Sequence, residues 1–233
     1  SLVLACYNEE PIFVESVRQI VEVLETTIFS YEIIFVDDCS SDKTRSLIRE
    51  VIQTYDQVPM RYLFHEQNVG RGGTVADGFR IAHGEVIGYI DIDLEVHARY
   101  IPSFVIAAKN CVDIATAYRI YTFTWRSIGR YILSKGYRWL VQQMLGVSLR
   151  DTEAGFKFFK RRNFLPVLDK VQDCGWFWDT ECLVRSQRHG LLILEIPCLF
   201  LRRFDKISSV NPFRDSIRYL HKLVQFKKEL KKL

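Results

Sequence analysis

The sequence predicts an α/β fold: a mostly parallel central sheet, helices on both faces, and a basic amphipathic helix at the C-terminal end. Three observations carry the prediction. Apolar runs of strand length alternate with segments of helical periodicity. The runs are apolar almost throughout, as in strands covered on both faces. Polar clusters fall after successive runs, where open α/β sheets bind ligands. In order, "SLVLACY" reads as a buried strand. "PIFVESVRQIVEVLETTI" follows with Phe13, Val17, Ile20, Val21 and Leu24 at helical spacing and Pro11 in the first turn. "YEIIFVDD" is the second strand, and a helix is expected over 42–55. "RYLFHE" is the third strand, "GTVADGFRIAHG" the third helix, "EVIGYIDID" the fourth strand, "YIPSFVIAAKN" a helix and "VDIATAYR" a strand. After Arg119, "YTFTWRSIGRYILSKGYRWLVQQMLG" sets aromatics among Arg126, Arg130, Lys135 and Arg138. "DTEAGFKFFKRR", "GWFWDTECLVRSQRHG" and the strand-like "LLILEIPCLFL" complete the body. From Asn211 a helix carries Ile217, Leu220, Leu223, Val224 and Leu230 on an apolar side, and Arg214, Arg218, Lys222, Lys227, Lys228, Lys231 and Lys232 elsewhere.

At 233 residues, 48% hydrophobic and 26% charged, the chain can form one large core or two small ones, and one domain is the simplest reading. A net charge of +4 is too weak to imply nucleic acid as a partner. The six cysteines are scattered, with no C-x-x-C pair, so buried free thiols are expected rather than a disulfide framework or zinc site. No uncharged apolar run approaches the ~18 residues of a membrane span, and no signal peptide pattern is present. Since the chain opens at Ser1 directly on an apolar strand, a flanking segment is left open.

The stretch "IGYIDIDLE" ends an apolar run with Asp91, Asp93 and Glu95 at alternate positions. In an extended chain they share a face about 6.5 Å apart, and each adjacent pair repels by about 2–3 kcal/mol at an effective dielectric of 20. An exposed strand edge would dissipate that cost in water. A divalent cation would use it, since magnesium takes one or two carboxylates plus substrate phosphates and manganese also suits oxygen ligands. In "VDDCSSDKT", Ser40, Ser41 or Asp42 suits a helix N-cap, which leaves Asp37 and Asp38 to accept hydrogen bonds from a ribose or base. "NVGRGGTVADG" fails the G-x-G-x-x-G spacing at Val75 and lacks G-K-[ST], which removes the main support for hydride transfer or a phosphate loop. Helix packing and contact with substrate both remain open for it.

Together "ACYNEE", "VDDCSSDKT", "NVGRGG", "YIDIDLE", "DTEAGFKFF" and "WDTE" resemble the inverting nucleotide-sugar glycosyltransferases of family two, with the Rossmann-like GT-A fold. "DTEAGFKFFKRR" and "EIPCLFLRR" look most like its polyprenyl-phosphate branch, which includes the dolichyl-phosphate glucosyl- and mannosyltransferases. The resemblance implies a GT-A domain over 1–200, with a nucleotide-sugar half (1–118), an acceptor half (119–200) and a basic extension (201–233). It implies Ala5, Tyr7, Glu9, Asp38, Arg71 and Asp91 for the nucleotide sugar, and Asp91, Asp93 and Glu95 for Mg2+ or Mn2+. Arg119, Arg130 and Arg203 would receive the acceptor phosphate, and Asp151, Asp179 and Glu181 would be catalytic. Where relatives often carry Ser-Lys after the final arginines, this chain has Ser208-Ser209 with Lys206 displaced.

The expected reaction is transfer of a hexose from UDP-glucose or GDP-mannose to a polyprenyl phosphate. A phosphate monoester has a second pKa of about 6 and needs cations rather than a base, whereas a sugar or glycolipid hydroxyl would need one, with Asp151 or Asp179 as candidates. Aromatics among cations and the basic tail suit a peripheral site on the cytoplasmic face of a membrane. A sugar nucleotidyltransferase is disfavoured, because "ACYNEEP" is neither glycine-rich nor basic. An inactive nucleotide-binding module is disfavoured by the intact acids.

Overall fold

The computed structural model describes residues 1–121, 136, 138, 140–202 and 212–231, with side chains of the last segment described from Arg218 onward. Seven strands form one sheet: β1 (Leu2–Cys6), β2 (Ile33–Asp37), β3 (Met60–Phe64), β4 (Val86–Ile90), β5 (Ile114–Tyr121), β6 (Phe156–Lys160) and β7 (Ile193–Phe200). Their order is β3-β2-β1-β4-β6-β5-β7. β1 pairs in parallel with β2 and β4, β2 with β3, and β5 with β7. Only β6 runs against its neighbours, pairing antiparallel with both β4 and β5. The C-terminal ends of the six concordant strands therefore share a rim with the N-terminal end of β6.

Helices cover both faces, as the continuous apolar strands require. One face packs α1 (Phe13–Glu25), α2 (Thr44–Thr54) and α4 (Ile101–Asn110) through Phe13, Val17, Ile20, Ile48 and Phe104. The other packs α3 (Arg71–Ile81), α5 (Arg161–Leu168) and α6 (Trp178–Arg188) through Val75, Phe79, Phe164, Trp178 and Leu183. α2 begins two residues later than expected and α3 two residues earlier, at the glycine-rich loop. Gly70 precedes it at φ 92, and a Cβ there would lie 2.6 Å from the Cys174 carbonyl oxygen. Pro11 lies just before α1 rather than in its first turn.

The basic helix α7 (Pro212–Leu230) forms where expected. Its Leu223, Phe226 and Leu230 are buried with Val141, Leu145, Phe177 and Val184 in a third cluster. Much of the apolar side thus packs on the body, leaving Leu220 and Val224 exposed beside its lysines. Polar contacts reinforce the docking. Arg185 bridges Glu181 and Glu229, Lys222 reaches Asp173 at 3.0 Å, and Tyr219 shares a 2.5 Å hydrogen bond with Thr180. All six cysteines are free. Cys6, Cys182 and Cys198 are buried as expected, but Cys111 and Cys174 are exposed. Among the described residues no helix is long and apolar enough to cross a membrane.

Candidate active site

The strand ends interlock first. Asn8, at φ 56, accepts from the Ser41 and Asp42 amides at 2.8 and 3.3 Å and donates its own amide to Ser40 Oγ at 2.9 Å. The Glu9 amide donates to Thr44 Oγ1 at 2.8 Å. Asp38 is buried, and its two carboxylate oxygens accept the Val69 and Gly70 amides at 2.8 and 2.9 Å. It therefore fixes the glycine-rich loop. Of the expected nucleotide contacts on β1 and just beyond it, Ala5 is half-buried, Tyr7 is exposed and Glu9 is buried.

β4 stops at Ile90, so the three acids do not continue the strand. The Leu94 amide donates to the Asp91 carbonyl at 3.1 Å, closing a turn with Leu94 at φ 54. The alternation of sides survives the turn. Ile92, Leu94 and Val96 are buried, while Asp91, Asp93 and Glu95 line one cleft with Arg119, Gly155 and Phe200. It holds about 40 Å³, room for an ion and a few waters. Among the described residues no three acids, cysteines or histidines converge closely enough to cage a metal alone. Two carboxylates, completed by oxygens of a bound ligand, would fit a cation such as Mg2+ or Mn2+. Any side chain at Gly155 would displace the Asp91 carboxylate and the Arg71 guanidinium, since a Cβ there would collide with the first and come within 2.5 Å of the second.

Arg71 joins this cleft to a buried charge cluster. Its guanidinium donates to Asp91 Oδ1 at 2.6 and 3.0 Å and to Asp179 Oδ2 at 2.5 Å. Asp179 also accepts from Lys157 Nζ at 2.8 Å and from the Tyr89 hydroxyl. Burial alone would raise the Asp179 carboxyl. Arg71 and Lys157 outweigh it and hold the group below the usual carboxylate range. Across the cleft Asp151 grips Arg119 bidentately, at 2.8 and 2.9 Å, with Arg138 at 3.4 Å. There too burial pushes up and the arginines pull the carboxyl down. Glu195 of β7 accepts the Arg150 and Asp151 amides, both at 2.8 Å, and so holds the Asp151 backbone.

Glu181 is not part of the cluster, which corrects its expected place beside Asp179. Two residues apart on α6, the two side chains are turned about 200° from one another. Glu181 accepts the Gln172 and Asp173 amides at 3.1 and 2.8 Å and Arg185 Nε at 2.6 Å, on the α7 side. Arg130, Arg203 and Ser208-Ser209 lie outside the described residues, as do Trp125, Tyr131, Tyr137 and Trp139. Sequence reasoning missed Tyr89, Arg138, Glu153, Lys157 and Glu195. A lysine inside "FKFF" and a lone glutamate inside "LLILEIP" were the available signals, since a charge within an apolar run requires a partner.

Comparison with known proteins identifies the family and the fold. The profile of glycosyl transferase family 2 matches residues 1–166. Glycosyltransferase AglD of Haloferax volcanii is 34% identical over 207 residues, covering 84% of this chain and 32% of that protein. Dolichyl-phosphate beta-glucosyltransferases of Dictyostelium discoideum and Homo sapiens are each 28% identical, over 208 and 214 residues. They match 85% and 84% of this chain and 63% and 65% of their own lengths. The chain thus spans about a third of the first relative and just under two thirds of the others. Among solved structures, glucosyl-3-phosphoglycerate synthase from Mycobacterium tuberculosis, in complex with Mn2+, UDP-glucose and phosphoglyceric acid, superposes with a TM-score of 0.71. The identity is 20%, over 97% of this chain and 79% of that one. This likeness shows a shared α/β fold.

Proposed function

Because the chain belongs to glycosyl transferase family 2, we propose that it transfers a hexose, with inversion, from a nucleotide sugar to a polyprenyl phosphate at a membrane surface. UDP-glucose is the first donor to test and GDP-mannose the second, since two of the relatives are dolichyl-phosphate beta-glucosyltransferases. The observation that carries the acceptor class is the state of Asp151 and Asp179, the two groups expected as bases for a hydroxyl. Each is buried, ion-paired to arginine and held below the usual carboxylate range, and is therefore a poor base at neutral pH. A third carboxyl, Glu153, sits beside Arg119 and is raised to about 7 by burial, so turnover of Glu153→Gln decides whether it serves as a base. A hydroxyl acceptor needs a proton taken from it, whereas a phosphate monoester arrives ionised, with a second pKa of about 6. Arg119 and Arg138 supply the cations that would orient it.

In the reaction an acceptor phosphate oxygen attacks the anomeric carbon. The bond from that carbon to the donor's β-phosphate oxygen breaks, and the nucleoside diphosphate leaves with the electron pair. Asp91 and Asp93, with Glu95 beside them, would hold Mg2+ or Mn2+, which when bound offsets the charge on the leaving diphosphate. Arg71 keeps Asp91 oriented, and Asp179 keeps Arg71 in place. On this reading residues 1–118 form the donor half, 119–200 the acceptor half, and 201–233 an extension whose exposed Arg218, Lys228 and Lys231 face anionic headgroups on the cytoplasmic side. The test incubates radiolabelled UDP-glucose or GDP-mannose with polyprenyl phosphate and Mn2+. Acid-labile lipid product is expected from the native protein and none from Asp93→Ala. Label appearing only on a sugar or glycolipid hydroxyl refutes the acceptor class, and near-native turnover by Asp93→Ala refutes the metal assignment.

A further inference from the structure

Among the described residues, one carboxyl at the mouth of the acceptor half has no cation closer than 3.9 Å. Glu153 is one-third exposed, and its Oε2 lies 3.9 Å from Arg119 Nη2. That guanidinium is already committed to Asp151 through Nε and Nη2. The Glu153 amide donates to Asp151 Oδ1 at 3.2 Å, which fixes the backbone beside the same carboxylate. The charged groups acting on it are Arg119 from β5, Asp151 from the loop before β6, Asp179 from α6, and Arg138. Tyr121, at the end of β5, also lies within its field.

We propose that Glu153 is a binding group for the acceptor phosphate, donating a hydrogen bond to a phosphate oxygen when protonated and repelling it when ionised. This rests on the phosphate-acceptor reading and adds to it a switch internal to the site. Two negative groups facing one another beside Arg119 would compete for its charge, whereas a neutral carboxyl contributes a further donor beside the arginine. Burial pushes the Glu153 carboxyl up to about 7, with Asp151 and Asp179 adding to the push and Arg119 opposing it. Its proton exchanges with solvent, and no bond to carbon is made or broken in the step.

The test measures binding of farnesyl phosphate by calorimetry between pH 6.5 and 8.5, with UDP and Mn2+ present, in the native protein and in Glu153→Gln and Glu153→Ala. Native affinity is expected to fall about tenfold per pH unit above the carboxyl's pKa. Glu153→Gln, which keeps a donor and cannot ionise, is expected to hold its affinity within about twofold across the range. Glu153→Ala is expected to be equally flat but several-fold weaker than the native protein at pH 6.5. A Gln variant that keeps the native pH slope overturns the assignment of Glu153. So does a Gln variant that loses turnover at every pH while binding keeps its native slope, which would make Glu153 a base for a hydroxyl acceptor. If farnesyl phosphate binds none of the three proteins while UDP-glucose binds all, the acceptor reading falls, and this proposal with it.

Discussion

Lys157 has no exposed surface, and its ammonium sits 2.8 Å from Asp179. With Arg71 and Asp91 the cluster carries two positive and two negative charges, summing to zero. Replacing Lys157 by Met preserves bulk and leaves one negative charge uncompensated. The direct attraction at 2.8 Å is about 6 kcal/mol at an effective dielectric of 20, largely offset by the cost of desolvating both ions. Removal of one partner from such a pair costs about 3–5 kcal/mol. Asp179→Asn leaves one positive charge and should cost a similar amount. The double variant is neutral again, so its loss should be about 2–4 kcal/mol smaller than the sum of the singles. In urea, with a slope of about 3 kcal/mol/M for a chain of this size, each single variant should shift the midpoint down by about 1–1.7 M. The double variant should shift little further than either single. A double variant whose loss equals the sum, within about 0.5 kcal/mol, would show that charge neutrality of the cluster is not what stabilises it.

Two other outcomes follow from the packing. Glu181→Gln should cost about 1.5–3 kcal/mol in urea unfolding, through weakened bonds to two amides and Arg185, while kcat of the folded enzyme stays within about threefold. A hundredfold loss of kcat at unchanged stability would return Glu181 to the chemistry. Phe226→Ala should cost about 3–5 kcal/mol, because the ring is buried against Phe177 at 5.5 Å and under Arg185 at 5.1 Å. A cost under about 1 kcal/mol would mean that α7 is an appendage rather than part of the core.

Much of the architecture could be read from periodicity. Runs such as Ile33–Asp37 and Val86–Ile90, buried at every position, leave little choice but a sheet covered on both sides. The direction of β6 could not be read, since "FKFF" is apolar whichever way it runs. Strand order also depends on crossovers that leave no local mark. Resemblance brought Asp91, Asp151 and Asp179 together as site residues. It did not reveal their partners, because the cluster draws on positions 71, 89, 91, 157 and 179, on or just after two strands and on two helices. Resemblance also paired Glu181 with Asp179, but α6 turns residues two apart onto different sides. Asp91 to Glu95 shows the converse, where alternation persisted through a turn because buried Ile92, Leu94 and Val96 anchor it.

The reversed strand has a consequence for how the two halves can vary. On the proposed reading, donor-side residues leave the sheet from β1, β2 and β4, whereas Asp151 and Glu153 enter it on the way into β6. A two-residue slip of β6 would keep its inward and outward faces and carry those acids about 6.5 Å along the rim, with the nucleotide side unmoved. Phe158 opposing Gly88 resists such a slip, because its ring occupies the space that any side chain at position 88 would need. On the proposed reading, a single ring seated over a single glycine helps to fix the distance between where the sugar would arrive and where it would depart.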